Sequence, residues 1–404
     1  MIDERNIASG FEIPSEGYCD QPYVAKLPDG TWLCVMTTGQ GHEGQQGQHI
    51  VSSRSKDFGR TWSALVDIEP AGGPEASWAM PLATPAGRVY VFYTYNAQNL
   101  REVRSGDTDG SLIRRVDTLG EYAFKYTDDG GQTWSKHRWF IPVREFDIDR
   151  RNPYQGAVRF FWGVGKPIHH DGVMYMGFSK VLRHSPNDFF VESEGSFLRS
   201  DNIMTEQNPD RIRWQTLPDG DIGLRSPGEG PICEEPNLTS LSEGTLFATC
   251  RTVAGHPAEA YSRDGGRTWT TQHMRFFPNG PLVCNPRGPN FVRKLAEGRY
   301  AGRFIYWFYN NNACGKPGQP HRGYDSGSRN PAWLLGGIEQ DSPEGKVIHW
   351  GRSEVVLYDV NLSAGIGYPD FVEAGDRLFI TETQKTIARV HEVPQWLLDR
   401  LWEI

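Results

Sequence analysis

One turn motif, used three times, constrains this chain more than any other feature. The form Ser/Thr-x-Asp-x-Gly-x-Thr-Trp stands at 55–62 (SKDFGRTW), 127–134 (TDDGGQTW) and 262–269 (SRDGGRTW). Asp at its centre bonds nearby backbone, and Gly tolerates positive φ, so each copy reads as a hairpin lock. Thr and Trp then start a strand, with the Trp free to pack on its sheet. Repetition of a whole motif is the signature of a repeat architecture. Weaker relatives run from Arg199-Ser-Asp-Asn to Trp214 and from Glu339 to Trp350.

A second repeat sets the number of units. Six segments share the pattern of strand, x-Gly turn, strand, and each has a proline in or before its first strand: Pro22, Pro81, Pro167, Pro236, Pro289 and Pro369. The second strands (WLCVM, RVYVFY, VMYMGF, TLFATC, FIYWFY, RLFIT) are nearly continuous apolar runs, as strands covered on both faces require. Six four-stranded antiparallel sheets around an axis make an all-β, six-bladed β-propeller. Residues 1–404 are expected to form one domain, its last blade completed by the N-terminal segment. The 12% aromatic content and 45 glycines fit many short strands joined by tight turns.

Net charge is −8, with no basic run or stripe, which argues against nucleic-acid binding. No apolar stretch approaches the length of a membrane span, and the N-terminus lacks a basic-then-apolar leader. A cytoplasmic protein is expected from the chain as given, or a secreted or periplasmic one if a leader was removed. The six cysteines (19, 34, 233, 250, 284 and 314) have no CxxC spacing, so neither a disulfide framework nor zinc is expected. His42, Glu43 and His49 lie close together, but in a Gly/Gln-rich loop rather than on a metal-binding helix. No metal and no cofactor are expected.

Blade geometry sorts the residues by face. The start of each first strand and the loop after each second strand share one end of the ring, and the Asp turns lie at the other. On the first, front end fall Asp20, Gln21, His42, Glu43 and His49 of blade I, then Glu75, Trp78, Asn96, Arg101 and Arg104 of blade II. Trp162, Lys166, Lys180 and Arg183 follow from blade III, and Glu234, Glu235, Arg251 and His256 from blade IV. Blade V adds Arg287, Asn290, Asn310, Asn311, Arg329 and Asn330. Blade VI adds Tyr368, Asp370, Glu382 and Gln384. Carboxylates and amides bond hydroxyls, aromatic faces stack on sugar rings, and arginines fork onto carboxylates. The mixture points to a glycan or oligosaccharide ligand. Gln21, Glu75, Trp78, Lys166 and Asp370 are candidate sugar contacts on this ground. The oligomeric state is left open.

With the repeated Asp motifs and six blades in place, the chain resembles the sialidase (neuraminidase) superfamily of Asp-box propellers, over nearly its whole length. The resemblance implies roles for particular residues. Glu235 matches the Glu that opens the fourth blade, and Arg251 the arginine after the following strand. Tyr368 in GYPDFVE matches the nucleophilic tyrosine that this Glu deprotonates, an exception to the two-carboxylate scheme. Arg329 in SRNPAW matches a further arginine more loosely. Sialidases carry Tyr-Arg-Ile-Pro at the first blade, and here Tyr18-Cys-Asp-Gln-Pro22 puts Asp20 at the arginine's place. Where the family has its acid/base Asp, this chain has His49. His49 or Asp20 is therefore the expected proton donor.

The leading expectation is an exo-acting glycoside hydrolase that cleaves a terminal sugar. Two alternatives stand beside it. In a polysaccharide lyase, His49 or Tyr368 would take the proton next to a uronate carboxylate that Arg251 and Arg329 neutralise. A non-catalytic carbohydrate-binding propeller would use the same face without turnover.

Overall fold

The computed structural model describes residues 3–106, 110–184, 190–225, 233–274, 282–310 and 329–403. Six antiparallel sheets follow in chain order, and the first strands of neighbouring blades lie side by side around the axis. Blade I has strands Tyr18–Lys26, Trp32–Gly39, His49–Ser55 and Val66–Asp67, ordered from the axis outwards. Blade II has Ala76–Ala83, Val89–Tyr95, Glu121–Thr127 and Trp139–Phe140. Blade IV has Glu234–Ser240, Leu246–Arg251, Ala258–Ser262 and His273–Met274. Blade V has Phe291–Lys294, Phe304–Phe308, Ala332–Ser342 and Gly345–Leu357.

Blade VI has Gly367–Ala374, Arg377–Thr383 and Ala388–Glu392, and its outer strand is the N-terminal Phe11–Ile13. Phe11 pairs with Val390 and Ile13 with Ala388, so the two ends of the chain close the ring as the sequence predicts.

Blade III departs from the four-strand pattern. Its inner strand is broken into Phe161–Trp162 and Ile168–His170, both paired to Val173–His184, with Phe190–Ser200 and Gln215–Leu217 outside. Blade III packs closely on its neighbours at this level. A Cβ on Gly163 would sit 1.8 Å from the Tyr122 hydroxyl, and one on Gly177 would sit 1.9 Å from the Pro236 carbonyl. Glycine alone allows blade III to approach its neighbours this closely.

Each Asp motif joins the third and fourth strands of its blade. In the first copy Ser55 Oγ donates to Asp57 Oδ1 at 2.8 Å, and Thr61 donates its N–H (2.9 Å) and hydroxyl (2.6 Å) to the two Asp57 oxygens. Asp129 and Asp264 repeat the arrangement with Thr133 and Thr268. In the weaker relative, Asn202 Oδ1 takes the Asp place and accepts from the Arg213 N–H at 2.9 Å. The motif tryptophans pack between blades rather than on their own. Trp134 of blade II donates to Ser52 Oγ of blade I at 3.0 Å, and Trp269 of blade IV stacks on Phe197 of blade III at 4.7 Å. Trp62 of blade I joins an apolar cluster with Val372, Phe379 and Val390 of blade VI.

Second strands are buried throughout, Val89–Tyr95 along its whole length. Cys19, Cys34, Cys233 and Cys250 are buried free thiols, and Cys284 is half-buried. Cys314 and Asn311 lie outside the described residues. Among the described residues, no helix is long and apolar enough to cross a membrane, and no group of three His, Cys, Asp or Glu side chains could hold a metal ion.

Candidate active site

Four inner strands carry the same irregularity at the same level. Between Asp20 and Tyr23, Ser77 and Met80, Glu234 and Asn237, and Gly367 and Asp370, two residues oppose one on the second strand. These are β-bulges, which re-aim side chains. The first bulged residue is in each case a non-glycine with positive φ: Gln21 (54°), Trp78 (69°), Glu235 (52°) and Tyr368 (50°). Such backbone costs about 1–3 kcal/mol per residue and gathers at functional sites. In three of the four the next residue is proline, which has no N–H to leave unpaired at the gap in the ladder.

Two of these bulges meet at the axis. Tyr368 donates its hydroxyl to Glu235 Oε1 at 2.9 Å. The same oxygen accepts from Arg251 at 2.8 Å and from Trp162 Nε1 at 3.1 Å. Arg251 also stands 3.1 Å from Glu234, which is paired on its other side with Arg287. Burial pushes the Tyr368 hydroxyl well above its ordinary pKa, and the Glu235 charge adds to this, opposed by Lys385, Arg329 and Arg251. Tyr368 therefore keeps its proton at rest and can lose it only to a close acceptor. Glu235 is the acceptor of its hydrogen bond.

Above this cluster opens a cavity of about 320 Å³. Its cations are Arg115, Arg251, Arg287, Arg329 and Lys385. Its carboxylates are Glu43 and Glu234, and Tyr18, Trp162, Phe190 and Tyr368 form its aromatic walls. The Arg115 guanidinium lies 4.5 Å over Trp162, which leans on Trp78 at 4.1 Å. Arg329 Nη2 donates to the Arg287 carbonyl at 3.1 Å, and its guanidinium lies 5.8 Å from the Tyr368 ring.

A second cluster faces Tyr368, with Lys385 of blade VI at its centre and Asp20, Tyr18 and Glu43 from blade I. Lys385 pairs with Asp20 and, at 2.7 Å, with Glu43, while its Nζ stands 4.4 Å from the Tyr368 ring centre. Tyr18 donates to Asp20 Oδ2 at 2.9 Å. Arg115 holds Glu43 at 2.7 Å and Asp117 at 2.7 Å. Burial raises Asp20 to about 6, against the pull of Lys385. Burial works the same way on Glu43, but Lys385 and Arg115 outweigh it and hold that carboxyl well below its usual range.

Not every residue expected at the site is there. His49 turns away: its Nε2 lies 3.5 Å from Asp67 on the outermost strand and 3.6 Å from Glu16, and it is not part of the cavity wall. His42 and Glu43, from the preceding loop, take the wall instead. Asp20 is fully buried behind Tyr18 and reaches the cavity only through its partners. Trp78 lies behind Trp162 and donates to the Asp117 carbonyl at 2.8 Å. Gln21 is buried beneath the cavity, with no hydrogen-bond partner for its side-chain amide among the described residues.

Lys166 and Asp370 lie outside the cavity lining and form a tie across the axis. Asp370 accepts from Lys166 at 2.7 Å, from the Val24 N–H at 2.8 Å and from Arg293 at 3.3 Å. Glu75 anchors the loop that carries Glu43, accepting from the Gly47 N–H at 3.1 Å and from Asn96 at 3.2 Å. Arg115, Lys385, Tyr18 and Phe190 have no distinguishing sequence pattern. Only the end-of-strand position of Tyr18 and Lys385 could have suggested them.

The BNR/Asp-box repeat matches at residues 125–136 and 260–271, which covers two of the three complete turn motifs. No curated protein matches the chain in sequence. The fold is similar to that of a Hadza microbial sialidase, with a TM-score of 0.60 and 15% identity over 93% of this chain and 66% of that one. It is similar to the intramolecular trans-sialidase of Ruminococcus gnavus, solved with oseltamivir carboxylate, with a TM-score of 0.62 and 13% identity over 96% of each chain. A protein of unknown function from Dyadobacter fermentans aligns with a TM-score of 0.62 and 14% identity over 95% of this chain and 97% of its own. The chain is thus an Asp-box six-bladed propeller with the sialidase fold, divergent in sequence from the sialidases whose structures it resembles.

Proposed function

We propose that this protein is an exo-acting glycoside hydrolase that removes a terminal sugar from a glycan. One observation carries the reading: the Tyr368 hydroxyl donates to Glu235 at 2.9 Å on the floor of a cation-lined cavity. A nucleophile hydrogen-bonded to a base that is itself oriented by Arg251 and Trp162 is the general arrangement of covalent catalysis. Arg251, Arg287 and Arg329 on one wall favour a sugar that bears a carboxylate. The sialidase-fold relatives lend this substrate class further weight.

The steps balance as a double displacement. The Tyr368 oxygen bonds to the anomeric carbon while its proton passes to Glu235. The bond to the leaving oxygen breaks, and that oxygen takes the Tyr18 hydroxyl proton, which Tyr18 recovers from a protonated Asp20 behind it. Water then attacks the same carbon and releases Tyr368. One water proton returns to the donor wall, and the proton on Glu235 goes back to Tyr368. Of the two donors expected from the sequence, Asp20 reaches the cavity through Tyr18 and His49 has no such link.

A panel of 4-methylumbelliferyl glycosides of N-acetylneuraminate, glucuronate, galacturonate and neutral hexoses, with the matching oligosaccharides, tests this. Release of a saturated terminal sugar by the wild type and not by Tyr368→Phe is expected. An unsaturated, ultraviolet-absorbing product would instead establish a lyase. Binding without turnover would establish a lectin-like protein.

A further inference from the structure

We infer that Lys385 is a positioning residue that couples the Tyr368 nucleophile to the carboxylates of the proton-donating wall, which rests on the hydrolase reading above. Its ammonium belongs to two groups of opposite task. It pairs with Asp20 and Glu43, and it stands 4.4 Å from the Tyr368 ring. Tyr368 in turn has Glu235 on its hydroxyl, with Arg251 behind Glu235 and Arg329 over the ring. Asp20 has Tyr18, and Glu43 has Arg115.

The main chain of Lys385 is fixed while its side chain is not confined by packing alone. Its N–H donates to Thr383 Oγ1 at 2.8 Å, and its carbonyl accepts from the Cys19 N–H of blade I at 2.8 Å. It holds φ at +71°, which an ordinary lysine seldom adopts. The side chain is 23% exposed and borders the cavity. An ammonium on four rotatable bonds, tethered at a strained turn, can shift between acceptors without moving a strand.

A phenolate at Tyr368 and the two carboxylates compete for this one cation. At rest the ammonium lies with the carboxylates and holds Glu43 ionised, in which state Glu43 has no proton to give. While the sugar is bonded to Tyr368 the ammonium stays with the carboxylates, and as water breaks that bond it is drawn to the negative charge returning to the phenolic oxygen. Its hold on Asp20 and Glu43 weakens, and the wall's affinity for the proton that the attacking water loses rises. When Tyr368 is released and reprotonated, the cation returns. Departure of the Tyr368 oxygen and uptake of the water proton by the wall are linked through one side chain.

Carboxyl 13C NMR titration of the wild type, Lys385→Met and Lys385→Arg tests the charge link without any substrate. The Glu43 midpoint should rise by about one pH unit or more in Lys385→Met and stay low in Lys385→Arg, which also controls for folding. Kinetics on whichever umbelliferyl glycoside the wild type cleaves test the role. Lys385→Met should lower kcat about 10²-fold with KM little changed, and added ethylammonium should restore part of the rate in Lys385→Ala. An unmoved Glu43 midpoint, or Lys385→Met turning over like the wild type, overturns this inference alone. A wild type inert on the whole panel overturns the hydrolase reading and this role with it.

Discussion

Glu234 and Arg251 are opposed partners across the first two strands of blade IV, and their charged atoms meet at 3.1 Å. Because Arg251 also serves Glu235, one guanidinium neutralises two adjacent buried carboxylates. Arg251→Met leaves both under-compensated and should cost about 3–5 kcal/mol of stability, read from the urea unfolding midpoint. Arg251→Lys should recover little of it, since a point charge cannot fork onto two carboxyl groups.

Tyr368→Phe removes one hydrogen bond, so the fold should lose only about 1 kcal/mol. Turnover should fall about 10³-fold or more, while affinity for a product sugar is kept. Glu235→Gln should cost roughly 10²–10⁴-fold, because the base is lost but the donors around it remain. Thermal melts alongside kcat separate the two effects.

The Asp turns give the acid limb of the stability curve. Thr61 donors hold Asp57 at about 2, and Asp129 lies at about 2, where Thr133 outweighs burial. Asp264 is lowered as well, Thr268 outweighing burial. A depressed carboxyl contributes stability above its unfolded pKa, and that contribution is lost as pH falls through the folded value. Stability should therefore drop between about pH 4 and pH 2. The drop should be shallower in Asp57→Asn and Asp129→Asn, as urea midpoints across that range would register.

Asp20 works in the opposite direction. Burial raises it to about 6, so its contribution is full below the unfolded pKa near 4 and is lost as pH rises to about 6. Asp20→Asn should flatten that stretch of the stability profile and leave the slope below pH 4 unchanged.

His49→Ala should leave kcat within about twofold of the wild type, since no part of the ring reaches the cavity. Its cost should appear in stability alone, at about 1–2 kcal/mol for a buried polar side chain. A rate loss on the scale of Tyr368→Phe would return His49 to the proton-donor role.

The fold was legible because its signals are local and repeated. Turn residues at 57, 129 and 264, prolines at strand starts and continuous apolar second strands each announce themselves within a few residues. Glu235, Arg251 and Tyr368 were legible because they keep fixed offsets from those signals. His49 was misplaced for a physical reason. It begins the third strand, where alternation sends its side chain toward Asp67, and the loop before it brings Glu43 to the cavity instead. Lys166 and Asp370 share the front level of the blades, but the pleat turns them onto each other. Arg115 comes from a long inter-strand segment with no periodicity to follow.

The outer strand of blade VI, Phe11–Ile13, precedes its partner Ala388–Glu392 by most of the chain and is paired only when that strand has been made. The seam it closes joins blade VI to blade I, and across that seam Lys385 meets Asp20 and Glu43. Ring closure and assembly of the reactive wall are therefore one event. With that joint open, Glu235 lacks Tyr368, and Asp20 and Glu43 lack Lys385. Integrity of the whole circle is read out at a single lysine.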